Sequence, residues 1–374
     1  MRSRLLLVAD LIVGAEESGP GWVLVEDGIV RSRGTGVPGG DLATTTPVHV
    51  DVIAPGLLDS HVHGAAGLDF GAIGADAAPI IELHRAAGVS AVVASLATRE
   101  VGALCRRLSQ LAPLVHSGEL LGLHLEGPWL APAHAGAHNR DLLRLPNNEA
   151  IDAVLDAAEG TLRMVTIAPE LPGSLHAITR FVAEGVTVAI GHSAADADTA
   201  NRAFDAGASV VTHLFNGMPP LSAREPGIVG TALARPEVTV ELIADLVHVS
   251  ASIIAIVFAA APGRVSLVSD AMAATGLGDG SYELAGSEIT VLDDVAHLAD
   301  GSSLAGSTTT LGASVSGLIA RGLPAASVLR AASTTPAGAL NLQVPQLHPG
   351  DAANLTTVVG MKVRSMNGGV WAGC

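Results

Sequence analysis

The chain has 374 residues, beyond the roughly 250–300 at which one hydrophobic core stops growing, so a large domain with a smaller companion is expected. Hydrophobic residues make up 49% of it and aromatic ones only 2%, which excludes disorder and calls for an aliphatic core. A formal net charge of -16 excludes electrostatic binding to nucleic acid or to an anionic membrane, both of which need dense Lys and Arg.

In chain order, the opening MRSRLLLVADLIVG reads as a strand rather than a signal peptide, because Asp10 interrupts its apolar stretch. Leu5–Val13 and Gly21–Val25 are β-type runs separated by turn residues, and Asn354–Val359 with Val370-Trp371 behave alike near the other end. Segments 1–51 and 346–374 are therefore expected to build one small β-sandwich domain. Between them, at 52–345, eight Val/Leu/Ile-rich runs alternate with Ala-rich helical segments. The runs are Val52–Asp59, Val89–Leu96, Leu120–Glu126, Arg163–Pro169, Val186–His192, Ser209–Phe215, Thr239–Asp245 and Val265–Asp270. Helices are expected at Ala77–Ala87, Glu149–Ala158, Leu175–Glu184 and Ala195–Ala206. Eight βα units predict an α/β fold, a (β/α)₈ TIM-like barrel. The longest uncharged apolar run, Ala251–Pro262, falls short of the ~20 residues that cross a bilayer.

Two residue counts constrain the chemistry. All but one of the 20 basic residues are arginine, and the sole lysine, Lys362, lies near the end, so catalysis by lysine is excluded from the barrel. Cys105 and Cys374 allow at most one disulfide, which suits a reducing cytoplasm.

The polar residues of this apolar chain gather where strands end. The first run ends in Asp59-Ser60-His61-Val62-His63, and the spacing of two points both imidazoles to one side of an extended segment. Glu126, His192, His213, Asp245, His248 and Asp270 stand at or near other strand ends. A barrel brings such ends to one mouth. Two imidazoles joined there by a carboxylate and further histidines suit a divalent metal.

HVHG after a strand, with histidines on strands five and six and an aspartate on strand eight, resembles the amidohydrolase superfamily. Hydantoinases, dihydroorotases and ureases resemble this layout but use a carboxylated lysine on strand four; Arg163–Pro169 has none. The longer motifs LHLEGPWL, GAHN, IAPE, GHS, THLFNGMPPLSAREPG, IADLVHV, LVSDAMAATG and SLAGS are similar, in order, to the N-acetylglucosamine-6-phosphate deacetylase family over most of residues 50–345. Two departures stand out: Leu246 where many relatives have glycine, and His61 and His63 where some have Gln and Asn.

The resemblance implies a hydrolase that removes acetate from N-acetylglucosamine 6-phosphate, with metal-activated water as nucleophile. Glu126, His192 and His213 match the principal metal site, a His₂Glu set that leaves open positions. His61 and His63, with Glu126 bridging, are expected to admit a second ion. Zinc is the expected metal, one or two ions per chain, with iron, manganese or cobalt as alternatives. Asp270 is expected to be the general base and acid. His138 is expected to stabilise charge on the acetyl oxygen, with Ala137 adding a backbone contact. Asn216, Gly217, Arg224 and His248 correspond to positions that bind sugar and phosphate, and Leu304, Ala305 and Gly306 to a loop lining the sugar pocket. In some relatives an arginine of this motif comes from a neighbouring subunit, so a homodimer is expected. The alternatives are deacetylation of the galactosamine epimer, metal-dependent deamination, and a sugar-phosphate-binding protein without turnover.

Overall fold

Eight parallel strands pair in chain order, and what closes them into a barrel is the segment that carries the site. The computed structural model describes residues 4–372 apart from 15–17, 41, 43 and 44; Cys374, considered above as a disulfide partner, lies outside the described residues. The barrel strands are Leu57–Val62, Val89–Ala97, Gly122–Glu126, Leu162–Ile167, Thr187–Ile190, Val210–Val211, Thr239–Ile243 and Val265–Val268. All seven consecutive pairings are parallel. The seam between first and eighth closes just past the regular ladder: Asp270 N–H donates to His61 O at 3.0 Å and His63 N–H to Ala271 O at 2.8 Å. Asp59 adds to it by accepting the Ser269 N–H at 3.1 Å.

The expected helices appear at Ala78–Ala86, Asn148–Ala158, Ser174–Ala183 and Ala197–Asp205. Their apolar faces, and that of a further helix Val101–His116, pack against the outside of the barrel, where Leu104, Leu108, Ile151, Ile178 and Phe181 are buried with strand residues such as Leu125 and Val188. Side chains that alternate inward close the barrel floor with Val93, Met164, Ala189 and Val210 over Leu340. Above that floor the interior turns polar. Ser95 Oγ and Thr166 Oγ1 each lie 2.9 Å from a ring nitrogen of His124, and Thr166 bonds Thr212 at 2.9 Å. His124, Ser95, Thr166 and Thr212 are thus all paired, as burial requires.

One expected strand is divided. Val52–Asp59 breaks at Gly56: Pro47–Pro55 belongs to the sheet of the chain ends, and only Leu57 onward enters the barrel. That second sheet runs Val370–Ala372, Lys362–Asn367, Leu355–Val359, Pro47–Pro55, Arg4–Val13, Ser18–Glu26, Ile29–Thr35. It is one sheet curled on itself, with Ile29 bridging to Ala352 and a core of Leu7, Val23, Val30, Ile53, Leu355 and Met366. A further antiparallel sheet that the sequence reading did not anticipate, Gly280–Leu284, Ser287–Leu292 and Val295–Leu298, follows the eighth strand. Leu284, Ile289 and Val291 pack it onto Met272 and Ala137 at the barrel mouth. No helix among the described residues is long and apolar enough to cross a membrane.

Candidate metal centre

The strand ends deliver six potential ligands to one place, and three of them pay for this with an unusual backbone. His192, His213 and Asp270 take φ values of +47°, +28° and +51°, a region that residues with a Cβ rarely adopt and that recurs at functional sites. Two groups could hold a metal: Glu126 with His192 and His213, and His61 with His63 and Asp270. Within each group the ligand atoms all lie within 4.8 Å of one another, and all six residues are buried.

Glu126 joins the groups. Its Oε1 is 3.0 Å from His192 Nε2 and 3.1 Å from His213 Nε2, while Oε2 is 3.0 Å from His63 Nε2. Asp270 Oδ1 lies 3.3 Å from His63 Nε2 and 3.6 Å from His61 Nε2. Asp270 therefore completes the second group, where the sequence had suggested only the two histidines and Glu126.

Three imidazoles are oriented as metal ligands require. His192 Nδ1 lies 2.8 Å from the His134 carbonyl, His63 Nδ1 3.2 Å from the Ser95 carbonyl, and His61 Nδ1 3.2 Å from Glu241 Oε2. Those oxygens only accept, so each Nδ1 carries a proton and each Nε2 is the atom left to face the centre. His138 is the reverse case. The backbone N–H of Thr98 donates to its Nδ1 at 3.2 Å, so its proton sits on Nε2, which donates to Glu126 Oε2 at 3.1 Å. His138 is thus a donor beside the ligands.

The electrostatics ask for a cation. Burial pushes the Glu126 and Asp270 carboxyls up, but the surrounding histidines outweigh it and hold both below their ordinary values. Burial opposes charge on His63, yet Asp270 and Glu126 raise it to about 9. Positive charge, as a proton or a metal ion, is what two buried carboxylates need. The same burial lowers His138 to about 4 and keeps it neutral.

A cavity of about 950 Å³ opens above the centre. His63, Glu126, His192, His213, Asp270 and His138 line it, together with Ala137, Asn216, Gly217, His248, Leu304, Ala305 and Gly306. His61 does not reach its surface and is buried behind the others. Gly217 packs so closely on the His192 ring that a Cβ would lie 2.9 Å from Nδ1, and at Gly306, with φ +61°, a Cβ would lie 3.1 Å from the Asp270 carbonyl. Ser287 of the added sheet binds the Ala137 carbonyl at 2.9 Å. His248 Nδ1 pairs with Asp245 at 2.7 Å.

Arg224 departs from the expectation. It is exposed on the loop before the helix Gly227–Ala234 and does not line this chain's cavity. Arg140 and His134 line the cavity instead. The sequence reading also missed Thr98, Ser95 and Glu241. The first two act through groups no motif displays; Glu241 was visible as a lone charge within the apolar run Thr239–Ile243.

A model of the amidohydrolase family matches residues 52–371. The N-acetylgalactosamine-6-phosphate deacetylase of Escherichia coli O157:H7 is 33% identical over 351 residues, covering 90% of this chain and 93% of that one. The N-acetylglucosamine-6-phosphate deacetylase of Vibrio furnissii is 36% identical over 314 residues, 82% of this chain and 78% of that one. Among solved structures, an aspartate-to-alanine mutant of N-acetyl-D-glucosamine-6-phosphate deacetylase from Mycobacterium smegmatis, in complex with N-acetyl-D-glucosamine-6-phosphate, superposes with a TM-score of 0.94. It is 40% identical, with 100% of each chain covered.

Proposed function

The chain belongs to the amidohydrolase family, and from that premise we propose that it hydrolyses the acetamide of N-acetylglucosamine 6-phosphate, giving acetate and glucosamine 6-phosphate. One observation carries the reading. Glu126, His192, His213, His63 and Asp270, with a neutral histidine that has its proton on Nε2, face a single cavity of about 950 Å³, and a solved structure with this catalytic name shares the fold.

Glu126, His192 and His213 would hold one divalent ion, and His61, His63 and Asp270 a second, with zinc the preferred metal for a donor set of four imidazoles and two carboxylates. Such an ion supplies Lewis acidity to a carbonyl oxygen and lowers the pKa of water. Asp270 begins ionised because His61 and His63 offset its burial. It accepts the proton of the attacking water at Oδ and returns it to the amine nitrogen as the C–N bond breaks. His138 donates from Nε2 toward the acetyl oxygen as charge develops there, and its neutrality spares it from competing for that proton.

His248, backed by Asp245, and Asn216 bind the sugar phosphate from the wall of the cavity. Arg224, exposed on its own chain, serves phosphate in the cavity of a second copy, so the active species is a homodimer. The uncharged helix Ala251–Ala260, with Ile256 57% exposed, and Val247 just before it, 47% exposed, support an apolar interface. The enzyme works in the cytoplasm on a small phosphorylated amino sugar.

The galactosamine epimer is the second reading, favoured by the Escherichia coli relative. Acetate release from both 6-phosphates under identical conditions separates the two. A higher kcat/KM for the gluco sugar is expected; a higher value for the galacto sugar selects the alternative, and no acetate from either contradicts the proposal.

A further inference from the structure

The metal reading of His61, on which the following rests, leaves one buried charge without an assigned task. Glu241 lies in the seventh barrel strand and is 1% exposed. Among the described residues it has no Lys or Arg partner, and its only ion pair is to His61. Its Oε2 stands 3.2 Å from His61 Nδ1 and 3.4 Å from the backbone N–H of His213. We infer that Glu241 is the positioning residue that commits His61 to metal ligation and thereby allows the chain to hold a second ion.

Three observations carry this. First, a carboxylate at Nδ1 holds a proton there, so Nε2 is the atom left for the centre, 3.2 Å from His63 Nε2 and 3.6 Å from Asp270 Oδ1. His61 has no carbonyl partner for that proton, and without Glu241 the ring would be free to carry it on Nε2, where it blocks coordination. Second, His63 and His192 are oriented by neutral carbonyls, whereas His61 is oriented by a charge. A carboxylate behind an imidazole makes it a stronger donor, and a second divalent ion beside the first needs added negative charge. Third, the same oxygen accepts from His213, whose backbone sits at φ +28°. One carboxylate therefore ties a ligand of each group to the seventh strand, through a side chain in one case and only the main chain in the other. Its loss should fall on the His61 group first.

The test is a titration of metal-stripped protein with Co²⁺, followed by its absorption bands and by metal analysis of the same samples, in the native chain, His61→Gln, Glu241→Gln and the double variant. The native chain is expected to take two ions and His61→Gln one. Glu241→Gln should weaken the second binding event roughly 10- to 100-fold while leaving the first within about 3-fold. The double variant should lose no more than His61→Gln alone, because non-additivity marks residues that act through one another. A native chain that takes a single ion, a Glu241→Gln titration like the native one, or additive losses would each overturn the inference. Should the variants fail to fold, long-range proton–nitrogen NMR of the native chain loaded with Zn²⁺ decides: a His61 proton on Nδ1 with the ion at Nε2 is expected, and a proton on Nε2 overturns it. No substrate enters these measurements, so a chain that binds two ions yet releases no acetate would sink the deacetylase reading and leave this one standing.

Discussion

The backbone N–H of Thr98 donates to Nδ1 of His138 across 3.2 Å, and this bond separates His138 from the other histidines of the centre. A backbone N–H cannot accept, so His138 can offer only a proton to the cavity. Replacing it with alanine should lower kcat by about 10²- to 10³-fold, the usual cost of a lost oxyanion donor, without changing the metal-to-protein ratio. Acetate-release kinetics and metal analysis on one preparation check this. Loss of an ion would move His138 among the ligands.

Asp270 pairs with His61 and His63 of the second group. Asp270→Asn should therefore keep the ion held by Glu126, His192 and His213 and retain affinity for glucosamine 6-phosphate. Its turnover should fall by roughly 10² to 10⁴-fold, the range for a general base and acid. Near-native turnover would remove the proton-transfer role.

Burial disfavours charge on His248, but its 2.7 Å hydrogen bond to Asp245 raises its pKa above the ordinary histidine value. The ring is charged below that pKa, so attraction for phosphate is fully present at lower pH and is lost as pH rises through it. KM for the 6-phosphate should accordingly increase on the alkaline side, while KM for unphosphorylated N-acetylglucosamine stays flat there. In Asp245→Asn the increase should begin at lower pH. Coincident profiles for the two proteins would contradict the pairing.

Leu246 has φ +68°, in the left-handed region that costs a residue with a Cβ about 1 kcal/mol or more. This is the position where many resembling sequences carry glycine. Leu246→Gly relieves that cost and loses the packing of a half-buried side chain, so its unfolding free energy should stay within about 1 kcal/mol of native. Leu246→Ile, β-branched at Cβ, should be less stable than native by about 1–2 kcal/mol. Urea unfolding compares the three.

The barrel was legible because its strands are buried aliphatic runs, and polar side chains in so apolar a chain stand out where the runs end. Period two placed His61 and His63 on one side, and their Nε2 atoms are 3.2 Å apart. Other features were hidden for physical reasons. Pro55-Gly56 divides one apolar run between two sheets, and that dipeptide, a turn signal, was visible in the run although the aliphatic residues on both sides of it read as one strand. The added sheet does alternate, with Ile289 and Val291 buried between exposed Glu288, Thr290 and Leu292, so its signal was present. The tautomer of His138 depends on a main-chain N–H forty residues away, which no side-chain pattern encodes. The reach of Arg224 depends on the path of an exposed loop, and residue type alone does not fix it.

The most direct measurement is acetate release from N-acetylglucosamine 6-phosphate by the native chain before chelation, after chelation, and after return of Zn²⁺. The expected result is one glucosamine 6-phosphate per acetate, activity abolished when the metal is stripped, and recovery as one to two ions per chain are restored. Acetate release that survives complete metal removal, or a fully loaded protein that binds the sugar phosphate and releases none, would contradict it.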